Sequence, residues 1–293
     1  MSVTVRIAKN SGFCFGVKRA INLALESSKT HDKIITLGSL IHNPQMVQKL
    51  KKNGISSIND VHQIKDEATI IRSHGIPKET YEYIKKLGVD IVDATCPYVS
   101  KTQEYAKKLS EEGYPIIIMG DCEHPEVIAL KSYIATDVKV IKNVDELDNS
   151  KYKKVALLSQ TTKNIQDFEN LVVKLLTLTE ELRVINTICN ATNVRQKATH
   201  ELAMNSDIII VIGGKNSSNT KMLAKISSKI IQTFHIEESS ELNKIWFKNK
   251  KKIGITAGAS TPDWIIVEVY NKIIEIVGNS AALVSKVEDI PAY

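Results

Sequence analysis

Tyr114-Pro115-Ile116-Ile117-Ile118-Met119-Gly120-Asp121-Cys122-Glu123-His124-Pro125-Glu126 is the stretch from which the fold can be read. It opens as an unbroken apolar, β-branched run, the pattern of a parallel strand buried on both faces. It closes on a glycine, and Pro125 is well placed to open a helix. A strand that ends in a turn and feeds a helix is half of a βαβ unit. Two other segments share the layout: Leu37-Gly38-Ser39-Leu40-Ile41-His42-Asn43-Pro44 and Ile212-Gly213-Gly214-Lys215-Asn216-Ser217-Ser218-Asn219. In each, a polar residue stands four positions after the glycine: His42, His124 and Ser217.

Upstream lies a matching set of cysteines. Cys14 to His42, Cys96 to His124 and Cys189 to Ser217 each span 28 positions. A third element follows in each copy with a looser register: Arg72-Ser73-His74-Gly75, Ser159-Gln160-Thr161-Thr162, and Thr256-Ala257-Gly258-Ala259-Ser260-Thr261. The chain is therefore a threefold internal repeat of roughly 80–95 residues with insertions. Its lobes are expected at 1–93, 94–187 and 188–276, with a tail at 277–293 outside the repeat.

Strands are expected at 33–37, 68–71, 90–92, 114–119, 154–158, 207–212 and 252–256, with helical spacing over 17–28, 77–87, 99–112, 163–177, 194–205 and 262–277. The alternation predicts an α/β fold: three pseudo-threefold-related lobes with parallel sheets, their cysteines meeting at the centre. Each repeat cysteine precedes a helical stretch. Helix N-termini at strand ends are where open α/β sheets bind ligands, and their partial positive charge favours thiolates and phosphates.

Of the chain's 293 residues, 43% are hydrophobic and 25% charged, which excludes a disordered or fibrous class. The net charge of +6 is mild. Lysine runs such as Lys151-Tyr152-Lys153-Lys154 read as solvated faces, and aromatic residues at 5% are too few for a single-strand stacking platform, so no nucleic-acid partner is expected. No apolar run approaches the ~20 residues of a membrane span. Met1–Ile7 reads as a strand and not as a signal peptide, so a cytoplasmic, reducing address is expected. Four cysteines with no C-x-x-C pair fit neither a disulfide scaffold nor the usual zinc spacing.

Three in-register thiolates can hold three irons of a cubane cluster and leave the fourth open to a substrate oxygen. Cys122 falls outside the register and reads as a bystander. His42, His74, His124, Thr161, Thr162, Ser217, Ser218, Asn219 and Ser260 all stand at strand carboxyl ends, a donor set that suits a polyanion such as a diphosphate. Glu126 reads either as a general acid beside this set or as a first-turn glutamate that stabilises its helix. No G-x-G-x-x-G follows a strand, so electrons for a redox reaction would have to come from another protein.

These motifs together resemble the hydroxymethylbutenyl diphosphate reductase (LytB) family. The stretches that carry the resemblance are Gly12-Phe13-Cys14-Phe15-Gly16-Val17, His42-Asn43, Ser73-His74-Gly75, Asp93-Ala94-Thr95-Cys96-Pro97, His124-Pro125-Glu126-Val127, Gln160-Thr161-Thr162, Cys189, Lys215–Asn219 and Thr256–Ser260. They run through nearly the whole chain in order. The resemblance implies a [4Fe–4S] cluster on Cys14, Cys96 and Cys189 with one open iron. His42, His74, His124, Thr161, Ser217, Ser218, Asn219 and Ser260 would bind the substrate. Glu126 would be the proton donor, oriented by Thr161 or Thr162, with Thr161 favoured. The reaction implied is a two-electron, two-proton reductive dehydroxylation of an allylic diphosphate to isopentenyl and dimethylallyl diphosphates, at the end of the non-mevalonate isoprenoid pathway. A ferredoxin or flavodoxin type protein would supply the electrons. An aconitase-like hydro-lyase with a three-cysteine cluster is the nearest alternative, and a non-enzymatic iron–sulfur sensor is another. The first would favour arginines around a carboxylate, and the second needs no diphosphate shell.

Overall fold

A computed structural model describes residues 3–278 and 281–283. It begins with β1 (Val3–Ile7) and α1 (Phe15–Ser27). There follow β2 (Ile34–Leu37), α2 (Pro44–Lys52), β3 (Ile55–Ile58), β4 (Ala68–Ile71), α3 (Lys78–Lys86) and β5 (Ile91–Asp93). Next come α4 (Pro97–Glu111), β6 (Ile116–Met119), α5 (Pro125–Lys131), β7 (Val138–Ile141), β8 (Tyr152–Ser159), α6 (Ile165–Leu176) and β9 (Thr179–Val184). The last group is α7 (Asn190–Met204), β10 (Ile208–Ile212), α8 (Ser218–Ser228), β11 (Thr233–Ile236), β12 (Lys252–Ala257), α9 (Asp263–Val277) and β13 (Ala281–Leu283).

These strands build three separate sheets, ordered β3-β2-β4-β5, β7-β6-β8-β9 and β11-β10-β12-β1-β13, and every pairing is parallel. The expected α/β class with three parallel sheets is therefore what forms. Each sheet repeats one topology. The strand that ends in the glycine loop pairs on one side with the next strand in sequence. On its other side lies the strand of the third element, and beyond that the strand that leads to a cysteine. Central strands read as continuous apolar runs because helices cover both faces: β6 and β10 are buried at every position. Ile210 and Ile255 pack with Ile266 and Val269 of α9 on one side of the five-stranded sheet, while Ile209 and Val211 pack with Leu202 and Leu223 on the other.

One expectation is corrected. The first strand was assigned to lobe 1–93, but β1 pairs with β12, Val5 opposite Ile253, and completes the sheet formed by residues 208–257. This places β1 as the counterpart of β5 and β9, the strands that lead to the other two register cysteines. The tail expected at 277–293 lies mostly outside the described residues, but Ala281–Leu283 adds the strand β13 beside β1. By contact density the chain divides into two compact units. One holds the five-stranded sheet with His42–Met46, and the other holds both four-stranded sheets. Among the described residues, no helix is long and apolar enough to cross a membrane.

Candidate active site

The polar residues singled out above collect at the carboxyl ends of the strands, because the third-element strands β4, β8 and β12 all end in turns there. The unit with the two four-stranded sheets holds the carboxylate. His124 is the N-cap of α5, and its Nδ1 accepts the Glu126 N–H at 3.2 Å. That bond fixes the neutral tautomer with the proton on Nε2, which leaves His124 a donor at its outer nitrogen. Pro125 then occupies the first helical position, where its missing N–H costs nothing. Glu126 follows and is 2% exposed.

The turn after β8 reaches this carboxylate. Thr161 donates its backbone N–H to Glu126 Oε1 at 2.7 Å and its hydroxyl to Oε2 at 2.9 Å. Burial pushes the Glu126 carboxyl up to about 7, and the two Thr161 bonds hold it from rising further. A carboxylic acid buried this way is half-protonated near neutral pH, which is the condition for donating a proton there. Thr162 engages Gln160. Its hydroxyl accepts from Gln160 Nε2 at 3.1 Å, while Gln160 Oε1 accepts the Asp121 N–H at 3.1 Å. Gln160 was quoted above only as part of a motif, yet it is fully buried and ties the loop before His124 to the turn after β8. Its place between Ser159 and Thr161 at a strand end was the available signal. The His74 ring meets His124 edge to face, with centroids 5.5 Å apart. Arg72, two residues earlier, fills the space beside Gly38 and donates Nε to Gly75 O at 3.3 Å.

The other unit holds a second polar group. Ser260 Oγ donates to the His42 backbone carbonyl at 3.0 Å, and Gly214 packs so closely that a Cβ there would lie 2.7 Å from the same oxygen. These contacts pin His42 to the turns that follow β10 and β12. Ser217 caps α8 through its hydroxyl, which accepts the Thr220 N–H at 3.4 Å, and Ser218 begins the helix. Asn219, 3% exposed, leaves both its amide oxygen and its amide nitrogen without a protein partner. A buried carboxamide with neither atom satisfied costs about 1–3 kcal/mol per group, so it marks a place meant for a ligand or water.

The three register cysteines occupy equivalent places. Each immediately precedes a helix: Cys14 before α1, Cys96 as the N-cap of α4, Cys189 before α7. The backbone N–H of each bonds to a carbonyl in the neighbouring third element: Cys14 to Ala259 at 3.0 Å, Cys96 to Ser73 at 3.0 Å, Cys189 to Thr161 at 2.9 Å. All three are half-buried thiols outside any disulfide, whereas Cys122 is exposed and stands at none of these positions. Gly16 makes room for the second of them, since a Cβ on Gly16 would lie 2.5 Å from Cys96 Sγ. Alanine in a helix normally outperforms glycine by ~1 kcal/mol. Here Gly16→Ala should instead cost about 1–3 kcal/mol through overpacking, read as a lower midpoint in denaturant with the slope unchanged. A gain in stability would show that the contact relaxes freely.

The LytB protein family matches residues 5–274 of this chain. A 4-hydroxy-3-methylbut-2-enyl diphosphate reductase of Campylobacter hominis is 49% identical over 273 residues, covering 92% of this chain and 98% of that protein. The enzyme of the same name from Helicobacter pylori is 48% identical over 276 residues, covering 93% and 99%. A solved structure of (E)-4-hydroxy-3-methyl-but-2-enyl diphosphate reductase, described as the terminal enzyme of the non-mevalonate pathway, aligns with TM-score 0.69 at 43% identity over 93% of this chain and 99% of its own. The structure of the E-1-hydroxy-2-methyl-but-2-enyl-4-diphosphate reductase from Plasmodium falciparum aligns with TM-score 0.87 at 29% identity over 97% of this chain and 91% of its own.

Proposed function

The chain belongs to the LytB family, and from that premise and the chemistry of its carboxylate we propose that it reduces 4-hydroxy-3-methylbut-2-enyl diphosphate to isopentenyl and dimethylallyl diphosphates. The balance is two electrons and two protons in, with one water and one diphosphate product out. The carbon–hydroxyl bond breaks, the hydroxyl leaves as water with one proton, and the second proton adds to the allylic carbon skeleton.

The observation that carries this reading is Glu126, a buried acid poised near 7 and gripped by one threonine. The hydrogen bonds support one oxygen as the proton carrier. Oε1 accepts a backbone N–H, which can only donate, so a protonated Glu126 bears its hydrogen on Oε2. Thr161 Oγ1 then turns from donor to acceptor and sends its own hydrogen onward. Glu126 and Thr161 thus form a short relay in which the carboxyl supplies the proton and the hydroxyl aims it. His124 presents Nε2–H, and with His42, His74, Ser217, Ser218, Asn219 and Ser260 it would hold the diphosphate. The unsatisfied Asn219 amide supports an anion or water at that end.

We also propose Cys14, Cys96 and Cys189 as the ligands of the [4Fe–4S] cluster. Their fit rests on three thiols at equivalent helix starts and on the space that Gly16 leaves for Cys96 Sγ. When bound, the cluster would supply electrons and a Lewis-acidic iron for the substrate hydroxyl. A separate carrier protein of ferredoxin or flavodoxin type would refill it. The repeat also supports three lobes, 1–93, 94–187 and 188–276, with β1 of the first lending itself to the sheet of the third.

Anaerobic protein with dithionite and a viologen mediator should consume the hydroxymethylbutenyl diphosphate and release both isomers. Protein that loads iron and sulfide yet leaves the substrate intact would overturn the reading. Thr161→Val tests the relay. It removes one of the bonds that hold the carboxyl down, so the Glu126 pKa rises further. A general acid works while protonated, so the alkaline limb of the kcat profile should move to higher pH. Meanwhile kcat should fall by at least ~10-fold. Thr161→Ser should restore both. A profile that does not move would remove Thr161 from the relay.

A further inference from the structure

Large apolar side chains left in water are informative when they stand at one place. Two of the aromatic ones do. Phe15 is 64% exposed and Tyr98 is 48% exposed. Phe15 is the first residue of α1, and Tyr98 is the second of α4. These two helix starts are packed together, because Gly16 lies against Cys96 Sγ. Arg19 fastens them: it donates to Thr95 O at 3.0 Å and to Asp93 O at 3.3 Å, just before α4. The two rings therefore flank the contact at Cys96 on a fixed scaffold. Neither ring is part of the hydrogen-bonded network around Glu126.

The charge around the rings is unbalanced toward positive. Lys18 and Arg19 stand one turn after Phe15, and Lys101 one turn after Tyr98. The carboxylates near the rings are Asp93 and Glu104, while Glu26 and Glu111 lie at the far ends of α1 and α4. Asp93 Oδ1 is taken up by the Thr95 N–H at 2.8 Å, and Glu104 pairs with Lys101 at 3.0 Å. A second copy of this chain, itself at +6, would bring like charge to the patch. The sequence has no dinucleotide-binding fingerprint, so the electrons of the proposed reduction must arrive on a protein. Exposed aromatics ringed by cations, beside a proposed cluster ligand, suit a small acidic one.

We propose that Phe15 and Tyr98, with Lys18, Arg19 and Lys101 around them, form the docking surface for an acidic ferredoxin-type iron–sulfur carrier that delivers electrons one at a time. This rests on the reductase reading given above.

The test uses the cluster-loaded enzyme, a reduced [2Fe–2S] ferredoxin, and the double variant Phe15→Glu/Tyr98→Glu. Leu176→Glu serves as control, since Leu176 is 62% exposed on α6, which covers the face of its sheet opposite to the one α4 packs on. Carrier binding, followed by biolayer interferometry, should weaken at least ~10-fold in the double variant, and ferredoxin-driven kcat/KM should fall by a similar factor. Turnover with dithionite and viologen should stay within about twofold, and the control should match wild type throughout. Unchanged ferredoxin binding in the double variant would overturn the proposal. So would a wild-type dimer that the double variant abolishes while it still binds ferredoxin, because the patch would then serve self-association. If wild-type enzyme fails with viologen, the reductase reading fails on its own account, and the binding measurement still separates that failure from this one.

Discussion

Glu126→Gln should lower kcat by about 10²–10⁴-fold and leave KM within a few-fold. The substitution keeps volume and shape. Its carbonyl oxygen still accepts the Thr161 N–H, and its amide still reaches Thr161 Oγ1, so the turn after β8 keeps its anchor. What disappears is the transferable proton. A loss confined to kcat separates a proton donor from a residue that merely stiffens the loop, which would move KM as well. The same variant has a signature in stability. The folded carboxyl titrates near 7 against an unfolded value of 4.5, so the folded state binds the proton more tightly. The stabilisation is complete below pH 4.5 and is lost as pH climbs through about 7. A shift of that size corresponds to about 3 kcal/mol. Urea denaturation at pH 4.5 and pH 8 should therefore show wild type losing stability that Glu126→Gln keeps. Parallel losses in both proteins would mean that Glu126 is ionised in the fold and cannot be the donor.

The sequence reading succeeded where burial leaves a one-dimensional trace. β2, β4, β6 and β10 are buried at every position, and each appears as an apolar run closed by a turn. The strands beside them were not legible. Ile55-Ser56-Ser57-Ile58 and Thr179-Glu180-Glu181-Leu182-Arg183-Val184 are edge strands that show polar side chains to water, and nothing in their composition separates them from loops. The partner of β1 was equally hidden. Its register with Lys252–Ala257 joins residues some 250 positions apart, and only the folded sheet shows it. At the candidate site, spacing singled out a neighbourhood but could not choose between Thr161 and Thr162. Adjacent residues in a turn point in different directions. The choice depends on which N–H and hydroxyl the turn after β8 aims at Glu126, and that is Thr161 for both. Asn219 was picked out by position alone, and burial without partners gives that choice a physical reason.

Cys14→Ala, Cys96→Ala and Cys189→Ala should each strip most of the iron and sulfide from anaerobically purified protein and abolish turnover, whereas Cys122→Ala should change neither. The contrast follows from where the thiols sit. Thiolates, not thiols, bind iron, so a ligand cysteine needs a setting that stabilises negative charge. Each register cysteine has one, at the start of a helix whose unpaired N–H groups carry partial positive charge. Each is also held in place by its own backbone N–H, bonded to Ala259, Ser73 or Thr161. Cys122 has no such helix start, is exposed, and lies in the loop between β6 and α5. Loss of an outer partner of a metal ligand typically costs ~10–100-fold, so loss of a ligand itself should exceed that. Backbone equivalence makes the prediction strict, because the three ligand variants should behave alike even though their sequence surroundings differ. A variant at Cys14, Cys96 or Cys189 with full iron content would break the threefold argument at that position. Equal depletion in Cys122→Ala would show that a position outside the register can do the same work.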